Sequence, residues 1–78
     1  MTNPHAISLK QLRQTIGRNI HEVRIRKKLT LAKLSQRTNI SSPKLDGFEI
    51  GKYELCFAHL ITIAAALHVN VFDLIQRS

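Results

Sequence analysis

Between Leu29 and Gly51 the chain reads LTLAKLSQRTNISSPKLDGFEIG, and this stretch constrains the fold more than any other. Thr30 is a good N-cap, because its hydroxyl can accept a hydrogen bond from a free N–H of a first helical turn. It predicts a helix from Leu31 to Thr38 with Leu34 facing inward. Asn39 tolerates a left-handed backbone and can end that helix. Ile40 is the apolar plug of a tight turn. Ser41 then caps another helix, Ser42 to about Ile50, with Pro43 in the first turn, where a missing N–H does no harm. Leu45 and Phe48, three apart, form its buried side, and Gly51 closes it.

The flanking sequence supplies more helix. Ser8 and Gln11 have capping-box spacing, which predicts a first helix from Leu9. Leu9, Leu12, Ile16, Ile20 and Val23 make one apolar stripe at helical period. Between them stand Arg13, Arg18, His21, Arg24, Arg26, Lys27 and Lys28, mostly on the wet face. Gly17 inside this helix costs about 1 kcal/mol relative to alanine, so a close approach is expected there. Residues 52–56 read as a connector. Phe57 to Leu67 is an Ala-rich helix that is apolar nearly all round, and Asn70 caps a last short helix holding Val71, Phe72, Leu74 and Ile75. No strand pattern, repeat or low-complexity tract is found. The expected fold class is all-α: one five-helix domain over residues 9–78. A flexible arm, residues 1–8, precedes it, with Asn3-Pro4 as breaker.

With 78 residues, only about 60–65% of the unfolded surface can be buried around one small core. Twelve Lys and Arg stand against five Asp and Glu, a formal charge of +7. That balance favours a polyanion, nucleic acid ahead of an anionic membrane surface. No apolar run approaches the roughly 18–20 residues of a bilayer span. Nothing in MTNPHAISLKQLRQ resembles a secretory signal, so the expected location is the cytoplasm, on the nucleoid when bound to DNA. Cys56 is the single cysteine. It allows no intrachain disulfide and reads first as a small apolar residue. His5, His21, His59 and His68 lack metal-ligand spacing with it. The Cys56–His59 pair lacks a third orienting group. No catalytic residue, metal ligand, cofactor or small-molecule effector is assigned, and an enzyme is not expected.

From Gly17 onward the ordered set Gly17, Ile20, Val23-Arg24, Leu29-Thr30, Leu34, Asn39-Ile40-Ser41, Leu45, Phe48-Glu49, Gly51-Lys52, Leu60, Ile63-Ala64, Leu67, Val69 and Phe72-Asp73-Leu74-Ile75 resembles the Cro/lambda-repressor type (XRE-type) helix-turn-helix family. The likeness covers about three-quarters of the chain. It implies a compact five-helix bundle and sequence-specific binding of double-stranded DNA, usually by a dimer on a two-fold-related site. It also implies that Arg24 and Glu49 form a structural ion pair locking the first helix to the third. The chain departs from the family at Leu31, where Gln is common, at Ser35 for Ala, and at Gly47 and Ile50, often Arg, Lys or Asn.

In such a domain phosphate contacts supply affinity and base edges supply sequence. The expected phosphate contacts are Thr30, Lys33, Gln36, Arg37, Ser41 and Lys52, clustered at helix N-termini and in the connector. The expected base readers lie opposite Leu45 and Phe48: Ser42, Pro43, Lys44, Asp46 and Gly47. Lys44 suits guanine O6 and N7, Ser42 is an adaptable donor or acceptor, and Pro43 suits a thymine methyl. Asp46 either accepts from a cytosine amine or repels misplaced phosphates. Gly47 either permits close approach or leaves readout to DNA shape. His5, Lys10, Arg13 and Arg18 are candidates for added contacts from the N-terminal side.

The last two helices carry more apolar surface than a core this small needs. Leu60, Ile63, Ala64 and Leu67 suffice inside. Phe57, Ile61, Ala65, Val71, Phe72 and Ile75 are left for a homodimer interface, with Phe57, Ile61, Val71, Phe72 and Ile75 its main members. Recognition helices of such a dimer should lie about 34 Å apart. The alternative is a helix-turn-helix used for protein binding, such as an antitoxin masking a toxin. Leu31 and the uncharged position 47 favour it, and the basic balance opposes it. A phage or plasmid repressor, a restriction–modification controller and a self-repressing antitoxin all remain compatible with the sequence.

Overall fold

In the computed structural model, residues 8–76 are described and form five helices. These are α1 (Leu9–Arg26), α2 (Leu31–Thr38), α3 (Ser42–Glu49), α4 (Phe57–Leu67) and α5 (Val71–Ile75). No strand occurs among the described residues. Local chemistry sets most boundaries. The Ser8 hydroxyl accepts from the Gln11 N–H at 3.1 Å while the Gln11 side chain accepts from the Ser8 N–H at 3.0 Å, a reciprocal cap that starts α1. Asn39, at φ 61°, ends α2, and His68, at φ 57°, ends α4. The Asn70 N–H donates to the Asp73 carboxylate at 3.0 Å and starts α5. Residues 1–7, and with them most of the expected arm and His5, lie outside the described residues.

The core draws on every helix: Ile20 and Val23 of α1, Leu34 of α2, Leu45 and Phe48 of α3, Leu60, Ile63, Ala64 and Leu67 of α4, and Leu74 of α5. Ile40 joins them from the turn. α1 packs on α3 and α5, and α2 packs on α3 and α4. The α1 stripe is buried only in its second half. Leu9 is 71% exposed, and Leu12 and Ile16 are half-buried. The reason is an open cleft of about 150 Å³ beside the first turns of α1, bordered by Phe48, Tyr53 and Leu55, which the connector does not fill.

Two close contacts decide how α1 sits. A Cβ on Gly17 would collide with the Phe48 carbonyl oxygen and lie 2.7 Å from that of Glu49, so only glycine lets α1 meet the end of α3. Asn19 is buried, and its amide donates to the carbonyls of Leu74 at 2.9 Å and Gln76 at 2.7 Å. Those bonds satisfy orphan acceptors at the end of α5 and tie the chain's last helix to its first.

Candidate nucleic-acid interface

α2 and α3 are held in fixed relation by the turn between them. The Asn39 N–H reaches the Ser35 carbonyl at 2.8 Å. The Thr38 hydroxyl donates to the Leu34 carbonyl at 2.8 Å and accepts from the Ile40 N–H at 3.2 Å. One buried hydroxyl thereby ends α2 and fixes the plug residue. Each of the two helices starts on a side-chain cap. Thr30 accepts from the Lys33 N–H at 3.0 Å, and Ser41 from the Lys44 N–H at 3.3 Å. The first-turn N–H groups of Leu31, Ala32 and Ser42 have no acceptor within their own helix, and Pro43 has no N–H to satisfy.

Around the start of α3 the side chains fall into two sets. Leu45, Phe48 and Glu49 are buried. Pro43, Lys44 and Asp46 are exposed, and Ser42 is half-buried. Exposed Lys33 on α2 and Lys52 in the connector stand on the flanking elements, with Thr30, Gln36 and Ser41 also exposed. Arg37 is exposed but turned toward α4, where its guanidinium donates to the Ala66 carbonyl at 3.3 Å. It complements the negative end of that helix, and its Nη1 is engaged there. Lys10 and Arg18 are exposed on α1, while Arg13 is half-buried with its Nε enclosed and unpaired among the described residues.

Gly47 corrects the expected reading face. It lies on the outer side of α3, one turn after Pro43 and Lys44, yet it is buried. The Tyr53 ring covers it: a Cβ on Gly47 would fall against Tyr53 Cδ2 and Cε2. The covering chain is held by the end of α3. Gly51 adopts φ 75° and its N–H donates to the Phe48 carbonyl at 3.1 Å, while the Lys52 N–H donates to the Gly47 carbonyl at 2.8 Å. These two bonds are a Schellman closure, which turns residue 53 back over the helix. A glycine in the middle of an eight-residue helix, followed by an isolated tyrosine, was the available sequence signal.

Behind the reading face, Glu49 is the centre of a buried network. Arg24 Nε donates to Glu49 Oε2 at 2.6 Å and Nη2 to Oε1 at 3.0 Å, a two-pronged pair. Arg24 is therefore buried, unlike its basic neighbours on α1. Its Nη1 also donates to the Leu29 carbonyl at 2.7 Å. The hydrogen bonds to Glu49 hold the guanidinium pKa above its ordinary range, against the opposing effect of burial. His21 Nδ1 lies 2.7 Å from Glu49 Oε1, a partner not foreseen from spacing. The network ties α1 to the C-terminal end of α3, opposite the capped end.

The expected interface residues of α4 and α5 divide in two. Phe57, Ile61 and Phe72 are 65%, 45% and 67% exposed. Val71 and Ile75 are half-buried and pack against the core, so they serve the interior first. Cys56 is exposed at the start of α4 and is no core residue. His59 lies with its ring 5.4 Å from that of Phe48. Among the described residues, no cluster of three or more His, Cys, Asp or Glu is placed to hold a metal ion, and no helix is long and apolar enough to cross a membrane.

A family model for the Cro/C1-type HTH DNA-binding domain matches residues 19–78. No curated protein sequence matches the chain. Among solved structures, the clp gene regulator ClgR from C. glutamicum superposes with a TM-score of 0.78 at 28% identity, covering 81% of this chain and 82% of that one. The restriction-modification controller protein C.AhdI from Aeromonas hydrophila gives 0.77 at 21% identity over 80% of this chain and 94% of that one. A hypothetical transcription factor, NHTF, from Neisseria gives 0.80 at 21% identity over 96% and 87%. The last two likenesses speak for the fold, and the family model speaks for more: with its helices, turn and caps in place, the chain belongs to the Cro/C1-type helix-turn-helix DNA-binding domains.

Proposed function

We propose that the chain is a transcriptional regulator that binds double-stranded DNA sequence-specifically, with the amino end of α3 in the major groove. The observation that carries this reading is the exposed tip formed by Ser41, Pro43 and Lys44, capped, outward-facing and accompanied by exposed Lys33 and Lys52. In the proposed complex, Thr30, Lys33, Gln36, Ser41 and Lys52 hold phosphates. Lys44 reads guanine, and Ser42, Pro43 and Asp46 adjust the fit. Arg24 and Glu49 touch no DNA; they hold the helix that does. Arg37 contributes less than its charge suggests, because α4 already occupies it.

The proposed unit is a homodimer through Phe57, Ile61 and Phe72, with Val71 and Ile75 supporting them from the core side. Such a pair would set two α3 helices about 34 Å apart on one face of DNA. Two measurements test the proposal. Titration of the whole chain against a random duplex pool at about 50 and 200 mM salt should show binding that weakens by orders of magnitude. Negligible binding at the lower salt would overturn the DNA reading and favour a protein partner. Sedimentation of the free protein should give twice the monomer mass, and Ile61→Lys should give the monomer. A wild-type monomer on and off DNA would remove the dimer.

A further inference from the structure

We infer that Tyr53 is a base-reading residue, standing in for the side chain that Gly47 lacks. The inference rests on the DNA-binding reading above and extends it to a residue outside the helix. Pro43 and Lys44 precede Gly47 by one turn on the same face of α3, so position 47 lies on the outward face of the helix. A side chain there would project toward whatever that face meets. Instead, the space of the missing Cβ is filled by the ring edge of Tyr53.

Three observations make this a built arrangement rather than a passing contact. The Lys52 N–H to Gly47 carbonyl bond, 2.8 Å, fixes the chain immediately before the tyrosine. The ring stands edge-on to buried Phe48, centroids 6.4 Å apart and planes at 88°, a favoured aromatic geometry. The Lys52 ammonium lies 5.4 Å from the ring centroid. The ring is thus anchored on its inner side, yet Tyr53 remains 42% exposed. Tyr53 lines a shallow cleft with Ser41, Pro43 and Lys44, the same residues that form the reading tip.

The chemistry suits a groove floor. A tyrosine offers an apolar ring for a thymine methyl and a hydroxyl that donates or accepts at a base edge. Being held by Phe48 and the helix end, it loses little freedom on binding. A mid-helix glycine normally weakens a helix, and here it admits a larger, anchored side chain to the same spot.

The test is selection from a duplex library with about 20 randomised base pairs, run with the wild type, Tyr53→Ala and Gly47→Ala, each checked by thermal melting. Gly47→Ala keeps the tyrosine but drives its ring off the helix, so it reaches the same end by a different route. Both variants should relax or alter preference at the same one or two adjacent positions of each half-site. On the wild-type consensus they should lose about tenfold in affinity, the scale of one base contact, while random-duplex binding stays within about threefold. A folded Tyr53→Ala that selects the wild-type sequence would overturn the inference. So would a folded variant that weakens equally on every sequence, since that is the signature of a phosphate contact. Should Tyr53→Ala not fold, Gly47→Ala decides alone by the same criterion. A wild type that retains no library member at about 50 mM salt would overturn the DNA reading itself, which separates the two failures.

Discussion

Replacing Glu49 with alanine should destabilise this protein far more than a typical surface change. Glu49 and Arg24 are 8% and 7% exposed, so in the folded protein each depends on the other more than on bulk water. The substitution deletes both prongs of the pair, at 2.6 and 3.0 Å, together with the 2.7 Å contact to His21. Arg24 would keep the bond from Nη1 to the Leu29 carbonyl at 2.7 Å and a longer approach of Nη2 to His21 Nδ1 at 3.4 Å, but would lose its hydrogen-bonded anion. Breaking a buried pair this way costs about 3–5 kcal/mol. The cleft lined by Arg18, His21, Arg24, Asp46, Glu49 and Ile50 admits water to the freed guanidinium, so the low end, about 3 kcal/mol, is expected. A chain this size is stable by roughly 4–12 kcal/mol in all, at about 0.05–0.15 kcal/mol per residue. At roughly 4–8 °C per kcal/mol, the melting midpoint should fall by at least about 12 °C. Circular dichroism melting and urea titration measure it. The double variant Arg24→Met with Glu49→Leu should recover much of the loss, because it removes both charges at once. A Glu49→Ala midpoint within about 3 °C of wild type would refute the claim that this pair braces α1 on α3.

Three further outcomes are expected. Gly17→Ala should lower stability, although helix propensity alone favours alanine by about 1 kcal/mol, because its methyl would meet the Phe48 and Glu49 carbonyls; a rise in the melting midpoint would show that α1 and α3 can separate freely. Asn19→Ala should cost about 1–3 kcal/mol by urea titration and speed hydrogen exchange in α5 before the rest, since the Leu74 and Gln76 carbonyls lose their donor. Uniform exchange would place the tether elsewhere. Lys44→Ala should weaken the selected duplex by about 1–3 kcal/mol and relax one base position, and an equal loss on all sequences would make Lys44 a phosphate contact.

The helix ends were legible because they are written in short-range chemistry. Ser8 with Gln11, Thr30 with Lys33, Asn39 and Ser41 each act within four residues, and each boundary predicted from them coincides with the one observed. The core sides of α3 at Leu45 and Phe48 and of α4 at Leu60, Ile63, Ala64 and Leu67 were legible from residue type at helical spacing. The α1 stripe was over-read. Leu9 has the right spacing, but periodicity says which side of a helix is apolar and not how far along it a neighbour extends. Gly47 was placed on the open face for the same kind of reason: a helical wheel counts only the helix's own residues, and Tyr53 arrives from outside it.

The amino-acid sequence by itself determined five helices, their caps, a short plugged turn and a strongly basic balance, since all of these follow from residue type and spacing over one or two turns. Beyond the caps and the Arg24–Glu49 pair, only the tertiary structure decided which distant polar groups became partners. Asn19 meets carbonyls 55 and 57 residues away, His21 meets Glu49 across 28 residues, and Arg37 is drawn to the end of α4. Such contacts depend on how helices cross in space, and no local pattern encodes a crossing. The same holds for the face proposed to read DNA. Spacing supplied Pro43 and Lys44, while folding the connector back over Gly47 supplied the tyrosine between them and the helix end.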